Sequence, residues 1–451
     1  MVRHSGADHP DVEESVVAIE GVLSPLRQAM KIVHLSTYDI KGGAALSAYR
    51  LHSGLSVIGH DSSMVVKYRS GQDPKVMEYV LPMNLSSRFQ RRVRRNAIVK
   101  SLKPYVRTRP PGFELFSEDR TPYGDSVVQQ VPACDVMNLH WVAAYVDYER
   151  FFPTASRRAP IVWTLHDMNA VTGGCHYDME CGSYRQQCGS CPQLGSREEH
   201  DLSRQVWERK KAVMSGIDPR RICIVTPSRW LGQVVANSSI FGRFRLEIIP
   251  YGINLEDFAP RDCASARDVL GIPQNAKVIL FLAEAVDNRR KGFEFLAKAL
   301  LGCERSVDRL WLLSVGNNAP RIEAGVQGSH LNYVGNDRFL SLAYSAADVF
   351  VIPSLQDNLP NTVLEAMACG VPVIGFDVGG VRDMVRHEKT GLLVKPGDID
   401  GLRAAIVSLL TNGANNRSRS MGLYARQIAL EEYPLVLQAQ RYGDLYKDLV
   451  G

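Results

Sequence analysis

Long apolar runs are missing from this sequence. No stretch approaches the roughly 18–20 uncharged apolar residues that a membrane-spanning helix requires. The opening residues also lack the apolar core of a secretory signal, because Glu13, Glu14 and Glu20 interrupt it. Residues 1–28 therefore read as a loose polar extension, and the chain reads as cytoplasmic. Cysteine is sparse and odd in number, nine in 451 residues, which argues against a disulfide framework. Acid is absent from one segment: between Arg88 and Arg109 stand nine Arg or Lys and no Asp or Glu. The whole chain carries +5, so the remainder is net −4. One short segment makes a slightly acidic protein basic. That excludes a uniform nucleic-acid-binding surface and points to a single local anionic partner.

What is present is globular. An apolar share of 45% and a charged share of 22% exclude wholesale disorder, a coiled coil and a collagen-like chain. At a prior of about 150 residues per domain, two or three domains are expected. Apolar runs that read as strands begin at 31–36, 62–67, 135–140, 161–166 and 222–226, alternating with helical patterns. After the Pro/Gly-containing stretch 249–260 the pattern restarts at 278–282, 310–315, 330–334, 348–353, 371–376 and 392–394. Continuous rather than alternating apolar character implies strands buried on both faces, hence parallel sheets covered by helices. Two such series predict an α/β protein of two doubly wound domains facing each other across a cleft. Ligands then sit beyond the carboxyl ends of the strands.

The residues at those strand ends carry the chemistry. Strand 348–352 ends at Pro353-Ser354, and a helix is predicted from near Asn361 through Glu365. Asp357, the amides of Asn358 to Thr362 and the first helical turn then face the cleft. An acid there accepts hydrogen bonds from sugar or ribose hydroxyls, and exposed amides suit hydroxyl or phosphate oxygens. Taken singly, Asp357 and Asn358 are equally ordinary turn formers. Arg289, Arg290 and Lys291 make a basic turn that would stabilise a departing phosphate, or would simply be solvated. Gly42-Gly43 opens an amphipathic helix, where a glycine pair lets backbone approach a phosphate or sugar. His166-Asp167 closes strand 161–166 at the cleft edge. Cys175, Cys181, Cys188 and Cys191 lie within 17 residues, consistent with a structural four-cysteine zinc site, two disulfides or buried thiols. Phe89, Val93, Ala97 and Leu102 recur at nearly helical spacing inside the basic segment 88–109, a pattern shared by solvated helices and membrane-surface helices.

Taken together, the stretch from Asp348 to Asp398 resembles the donor-binding signature of the retaining, nucleotide-sugar-dependent glycosyltransferases of family four. That signature is an acid, seven residues and a Glu after a Pro-Ser strand end, then Glu-Ala-Met-Ala-Cys-Gly-x-Pro-Val-Ile and a Gly-Gly turn. Here these are Asp357, Glu365, the run Glu365 to Ile374, and Gly379-Gly380. The resemblance extends over nearly the whole chain from residue 31. It implies two facing Rossmann-like domains of the GT-B type, 29–247 on the acceptor side and 248–430 on the donor side. A C-terminal helix, 431–451, would pack back on the first. It also implies that Glu365 binds the donor ribose, while Asp357 and the amides of the following loop (Asn358, Leu359, Pro360, Asn361, Thr362 and Val363) meet the transferred sugar. Asp357 stands where the family usually has Glu, and the loop Asp-Asn-Leu-Pro-Asn replaces the commoner Glu-Gly-Phe-Gly.

By the same resemblance Lys291 pairs with the donor diphosphate, with Arg290 or Arg289 standing in for an Arg a few positions earlier. Gly42 and Gly43 lie against the donor. His166 is near the reacting sugar, and with Asp357 it is the candidate catalytic residue. The loop 334–337 borders the nucleotide base. Family members retain configuration without a settled enzymic nucleophile, so none is named, and no divalent metal or other catalytic cofactor is implied. The cysteine cluster resembles one in a subgroup that makes exopolysaccharides of the colanic-acid type. The implied partners are a nucleotide diphosphate sugar, a saccharide or polyprenyl-linked acceptor and an anionic membrane surface met by 88–109, placing the protein peripherally on the inner face; nucleic acid is not implied. A catalytically weakened scaffold of a polysaccharide assembly complex, a same-fold sugar-nucleotide epimerase and a phosphorylase remain alternatives.

Overall fold

The structure is a computed structural model and describes residues 29–320, 326–411 and 415–451. The polar extension 1–28 lies outside the described residues. Two parallel sheets account for the two series of apolar runs, as expected. The first has seven strands: β1 (Lys31–Tyr38), β2 (Asp61–Tyr68), β3 (Val76–Glu78), β4 (Val136–Leu139), β5 (Ile161–Thr164), β6 (Ile222–Thr226) and β7 (Arg245–Ile248), in the order β3-β2-β1-β4-β5-β6-β7. The second has six: β8 (Lys277–Ala285), β9 (Leu310–Asn317), β10 (Gln327–Leu331), β11 (Val349–Ile352), β12 (Val373–Phe376) and β13 (Gly391–Val394), in the order β10-β9-β8-β11-β12-β13. Each order reverses once, between β1 and β4 and between β8 and β11. Crevices open at the carboxyl ends of such switch points.

Two strands escaped the sequence pattern, β3 and β7, and both are edges of the first sheet. Edge strands are covered on fewer sides, so they lack a continuous apolar run; the four residues of β7 are all at least partly exposed. At the edge of the second sheet, β10 begins three residues before the expected 330 and is largely polar.

The last helix, Leu435–Val450, does not belong to the second sheet. Its Ala439, Tyr442, Leu445 and Tyr446 join Ile32, Leu51, Val136 and Val162 in one buried cluster of the first lobe. Tyr442 Oη lies 2.9 Å from Thr164 Oγ1, and Asn138 Nδ2 donates to Tyr446 Oη at 2.6 Å, so both phenols are satisfied inside the apolar layer. The chain thus crosses between the lobes twice, near residue 252 and near residue 434. The two crossings touch: Ile253 N donates to Tyr433 O (2.9 Å) and Leu435 N donates to Ile253 O (3.1 Å). Gly252 permits this, since a Cβ there would stand 2.7 Å from Leu435 Cα.

The basic segment forms a helix, Leu85–Leu102, capped by Asn84, whose side chain accepts from Ser87 N. No residue of this helix is buried. Ser87, Arg91, Arg94 and Ile98 turn toward the protein, and Arg91 donates to Pro82 O. Leu85, Phe89 and Val93 turn to solvent, at 83%, 69% and 51% exposure. Among the described residues no helix is long and apolar enough to cross a membrane.

Candidate active site between the lobes

The carboxyl ends of β8 and β11 bring the basic turn and the acidic loop together. Gly292, at φ 72°, ends the turn Arg289–Lys291, and a Cβ on it would meet Pro353 O at 1.9 Å. Glycine there lets the cations lie directly on the end of β11. Lys291 Nζ donates to Asp357 Oδ2 at 2.7 Å, and Arg290 Nη1 stands 3.3 Å from the same oxygen. Burial alone would raise the Asp357 carboxyl, but Lys291 and Arg290 hold it at about 2. It is a permanent anion engaged by two cations, a poor base and a good clamp. Arg290 also reaches the first lobe. Its Nε donates to Glu114 Oε1 at 2.7 Å and its guanidinium lies 4.0 Å from the Tyr177 ring centroid.

Beneath this loop the Gly379-Gly380 turn is packed backbone to backbone. A Cβ at Gly379 (φ 48°) would meet Asp357 O at 1.9 Å, and one at Gly380 would meet Asn358 O at 1.6 Å. Gly380 N donates to Asp357 O at 3.0 Å. The glycine pair sets the height of the acidic loop.

Helix Asn361–Ala368 follows, with no side chain capping its start. Its Glu365 is buried. Glu365 Oε1 accepts from Arg50 Nη2 (3.2 Å) and Oε2 accepts from Tyr344 Oη (3.0 Å). Burial raises this carboxyl to about 7, and Arg50 works against that rise. The side chains of Leu359 and Val363 lie in the core of the second lobe, so of these two residues only the backbone is left for a ligand. Asn358 and Asn361 span the cleft. Asn358 Nδ2 donates to His166 O (3.0 Å) and its Oδ1 accepts from Ser228 Oγ (2.6 Å). Asn361 Nδ2 donates to Gly43 O (3.1 Å) and to Ser47 Oγ (3.0 Å). Pro360 is buried beside them and Thr362 is half-buried.

On the first lobe Gly42 adopts φ 87° to turn from β1 into helix Gly43–Val57. The starts of this helix and of helix Asn361–Ala368 meet across the cleft, a setting in which unpaired amides favour an anion. His166 reaches the second lobe through both its main-chain oxygen, which accepts from Asn358, and its imidazole, which meets Tyr251. The ring is buried: Nε2 lies 3.1 Å from His140 Nδ1, and Nδ1 lies 2.6 Å from Tyr251 Oη. His140 continues to His34 at 2.9 Å. Burial lowers His166 to about 4, so the ring is neutral near pH 7. Asp167 accepts from Trp141 Nε1 (2.7 Å) and pairs with His176 Nδ1 (2.6 Å), orienting the loop.

Arg50, Glu114, Tyr177 and Tyr344 carried no motif. Each acquires its place only through a partner on another element; Tyr344 and Glu365 are 21 residues apart, Arg50 and Glu365 315. The cysteines do converge. Cys175, Cys181, Cys188 and Cys191 line one cavity of about 20 Å³ with Phe116 and Asp178. All four are free thiols, and burial pushes Cys188 up to about 12 and raises Cys175 and Cys191. The donor set suits zinc, yet among the described residues no three His, Cys, Asp or Glu side chains stand close enough to hold an ion.

Residues 276–412, which hold the basic turn, Asp357, Glu365 and the glycine pair, match the family model described as glycosyl transferases group 1. The chain carries a group 1 glycosyl transferase domain. A phosphatidyl-myo-inositol mannosyltransferase of Mycobacterium leprae is 33% identical over 191 residues, covering 40% of this chain and 50% of that protein. The chain spans about half the length of the curated relatives that it matches in this way. A putative colanic acid biosynthesis glycosyl transferase of Escherichia coli is 26% identical over 428 residues, covering 90% of this chain and 98% of that protein. Around the group 1 domain the two-lobed GT-B fold matches sucrose-phosphate synthase from Thermosynechococcus elongatus. There the TM-score is 0.64 at 20% identity, over 93% of this chain and 99% of that one.

Proposed function

We propose that the protein is a retaining glycosyltransferase. It moves a sugar from a nucleotide diphosphate sugar to a saccharide or polyprenyl-linked acceptor in exopolysaccharide synthesis. The observation that carries the reading is the cation pair Arg290 and Lys291, held by Asp357 at the carboxyl edge of the second sheet and tied to the first lobe through Glu114 and Tyr177. A diphosphate entering there competes with Asp357 for both cations. In the transfer, the bond from the anomeric carbon to the β-phosphate oxygen breaks and a bond to the acceptor oxygen forms on the same face. The acceptor hydroxyl proton passes to the departing phosphate oxygen. Negative charge grows on that phosphate, and fixed cations stabilise it without reorganising. This charge is met by Arg290 and Lys291, so transfer needs no divalent cation. Asp357, ionised and doubly paired, positions the cations rather than attacking.

The test is nucleotide release by purified protein from a panel of UDP-, GDP- and ADP-sugars, with and without a saccharide acceptor. Acceptor-dependent release from one donor is the expected result; no release from any member defeats the reading. The full-length similarity to the Escherichia coli relative supports the exopolysaccharide setting. A structural zinc on Cys175, Cys181, Cys188 and Cys191 would require these thiols to draw closer together than they stand, and metal analysis of protein purified without chelator tests it.

Helix Leu85–Leu102 supports a place at the membrane surface. Its outward Leu85, Phe89 and Val93 are flanked by exposed Arg88, Arg92 and Arg95. Apolar insertion adds to about 1 kcal/mol per basic residue near an anionic surface. Sedimentation with anionic vesicles is expected to be salt-sensitive and lost when Arg88, Arg92 and Arg95 are changed to Glu. Unchanged sedimentation would remove this part.

A further inference from the structure

Arg50 is a charged side chain in the cleft that the proposed transfer does not use. It sits on helix Gly43–Val57 of the first lobe, and its side chain is 7% exposed. Nη2 stands 3.2 Å from Glu365 Oε1 and 3.3 Å from Asp337 Oδ2. Nη1 is buried and has no hydrogen-bond partner. The guanidinium carbon lies 5.3 Å from the Phe258 ring centroid, which fixes the plane of the fork. The placement is not isolated. Gly43, Ser47 and Arg50 lie along one face of their helix, and Asn361 and Glu365 along one face of theirs. Asn361 bonds the first two while Glu365 bonds the third. The two helices are matched over this stretch, and the match brings an unpaired donor beside a carboxylate.

We propose that Arg50 completes the ribose subsite from the opposite lobe and, with Glu365, reads the ribose diol of the donor nucleotide. The assignment rests on Glu365 lying at the donor ribose. A hydroxyl both donates and accepts. One ribose hydroxyl donates to Glu365 while the oxygen of its neighbour takes the free Nη1 hydrogen of Arg50, so the diol is read by an acceptor and a donor at once. A nucleotide lacking the 2′-hydroxyl leaves one of these buried groups unpaired. Sites built around a substrate hydroxyl discriminate strongly for that reason.

The experiment is calorimetric titration of the full-length protein with UDP, GDP and ADP and with their 2′-deoxy counterparts, in the wild type, Arg50→Met and Arg50→Lys. The wild type is expected to favour the ribonucleotide of its preferred base by about 100-fold. In Arg50→Met that ratio falls to about 10-fold or less through weaker ribonucleotide binding, with the deoxynucleotide hardly affected. Arg50→Lys keeps a donor and recovers part of the ratio, which a folding defect would not produce. Equal weakening of both nucleotides in Arg50→Met overturns the proposal, because the arginine then only holds the lobes together. An unchanged ratio overturns it too. Failure of the wild type to bind any of the six nucleotides overturns the donor reading itself and this assignment with it.

Discussion

Replacing Glu365 by alanine is expected to lower kcat/KM for the nucleotide sugar by about three orders of magnitude. Each hydrogen bond to a charged group contributes about 1.5–3 kcal/mol, and the substitution removes the acceptor for one ribose hydroxyl together with the anion that aims Arg50 at the other. The same substitution strips Arg50 of its closest anion and Tyr344 of its acceptor. Breaking a buried pair costs about 3–5 kcal/mol, eased here because Asp337 remains 3.3 Å from Arg50. A melting curve therefore accompanies the kinetics, and Glu365→Gln, which keeps the shape, separates the two losses. Titration gives a second signature. In the folded protein burial raises this carboxyl from an ordinary 4.5 to about 7. Below that pH it holds a proton and accepts less well, so donor kcat/KM climbs toward pH 7 and then levels. The climb disappears in Glu365→Gln. Stability runs the other way: the native state binds this proton more tightly than the unfolded chain, so the group's contribution declines as pH rises from 4.5 through about 7. Asp357 has the opposite sign. Its depressed value, about 2, gives stability above its ordinary 3.8 that is lost as pH falls toward 2. A flat profile of donor kcat/KM across pH 5–8 would contradict the assignment of Glu365.

Lys291→Ala is expected to cost about 10²- to 10³-fold in kcat while leaving the fold intact. Removing one preorganised group that stabilises transition-state charge has an effect of that size, about 2.7–4 kcal/mol. The fold survives because Lys291 is an end-of-turn side chain, 23% exposed, and Asp357 keeps Arg290 at 3.3 Å. Arg290 is the less informative target. It is buried against Tyr177 and ties Glu114 to Asp357, so its loss takes the cation from Glu114 and leaves Asp357 with Lys291 alone. Single-turnover rates with bound donor give the cleanest measurement, since a change confined to KM would mean that Lys291 binds the ground state alone.

The strands buried on both faces were legible because continuous apolar runs have few other uses. Edge strands β3 and β7 were not, since an edge is defined by what fails to cover it. The acidic loop was legible as an ordered string, down to the glycine pair beneath it. Its inward and outward sides were not: Leu359 and Val363 share the string with Asn358 and Asn361 but turn into the core. The basic helix shows the same limit. Periodicity grouped Phe89 with Val93 correctly, yet it cannot say whether that stripe faces the protein or the solvent. Arg50 was invisible in a different way. Its meaning is a contact between lobes, and such contacts leave no local pattern. His166 was legible as a residue just past a strand end, but its contacts with Asn358 and Tyr251 were not.

The paired crossings at Ile253 and Pro434 give the molecule a pivot with two leaves. A single covalent link would let one lobe swivel about its own bond. Two links hydrogen-bonded side by side remove that freedom and leave rotation about one axis. Displacement along such an axis grows with distance from the seam. The Tyr442 and Tyr446 contacts, carried by the helix that leaves the seam, stay fixed to the first lobe. Helix Gly43–Val57 stays with them, since at Gly54 it packs so closely on the seam that a Cβ would stand 3.1 Å from Leu435 Cγ. Cutting the chain after Glu432 would therefore do two things at once: bare an apolar layer of the first lobe, and turn a door into a ball joint.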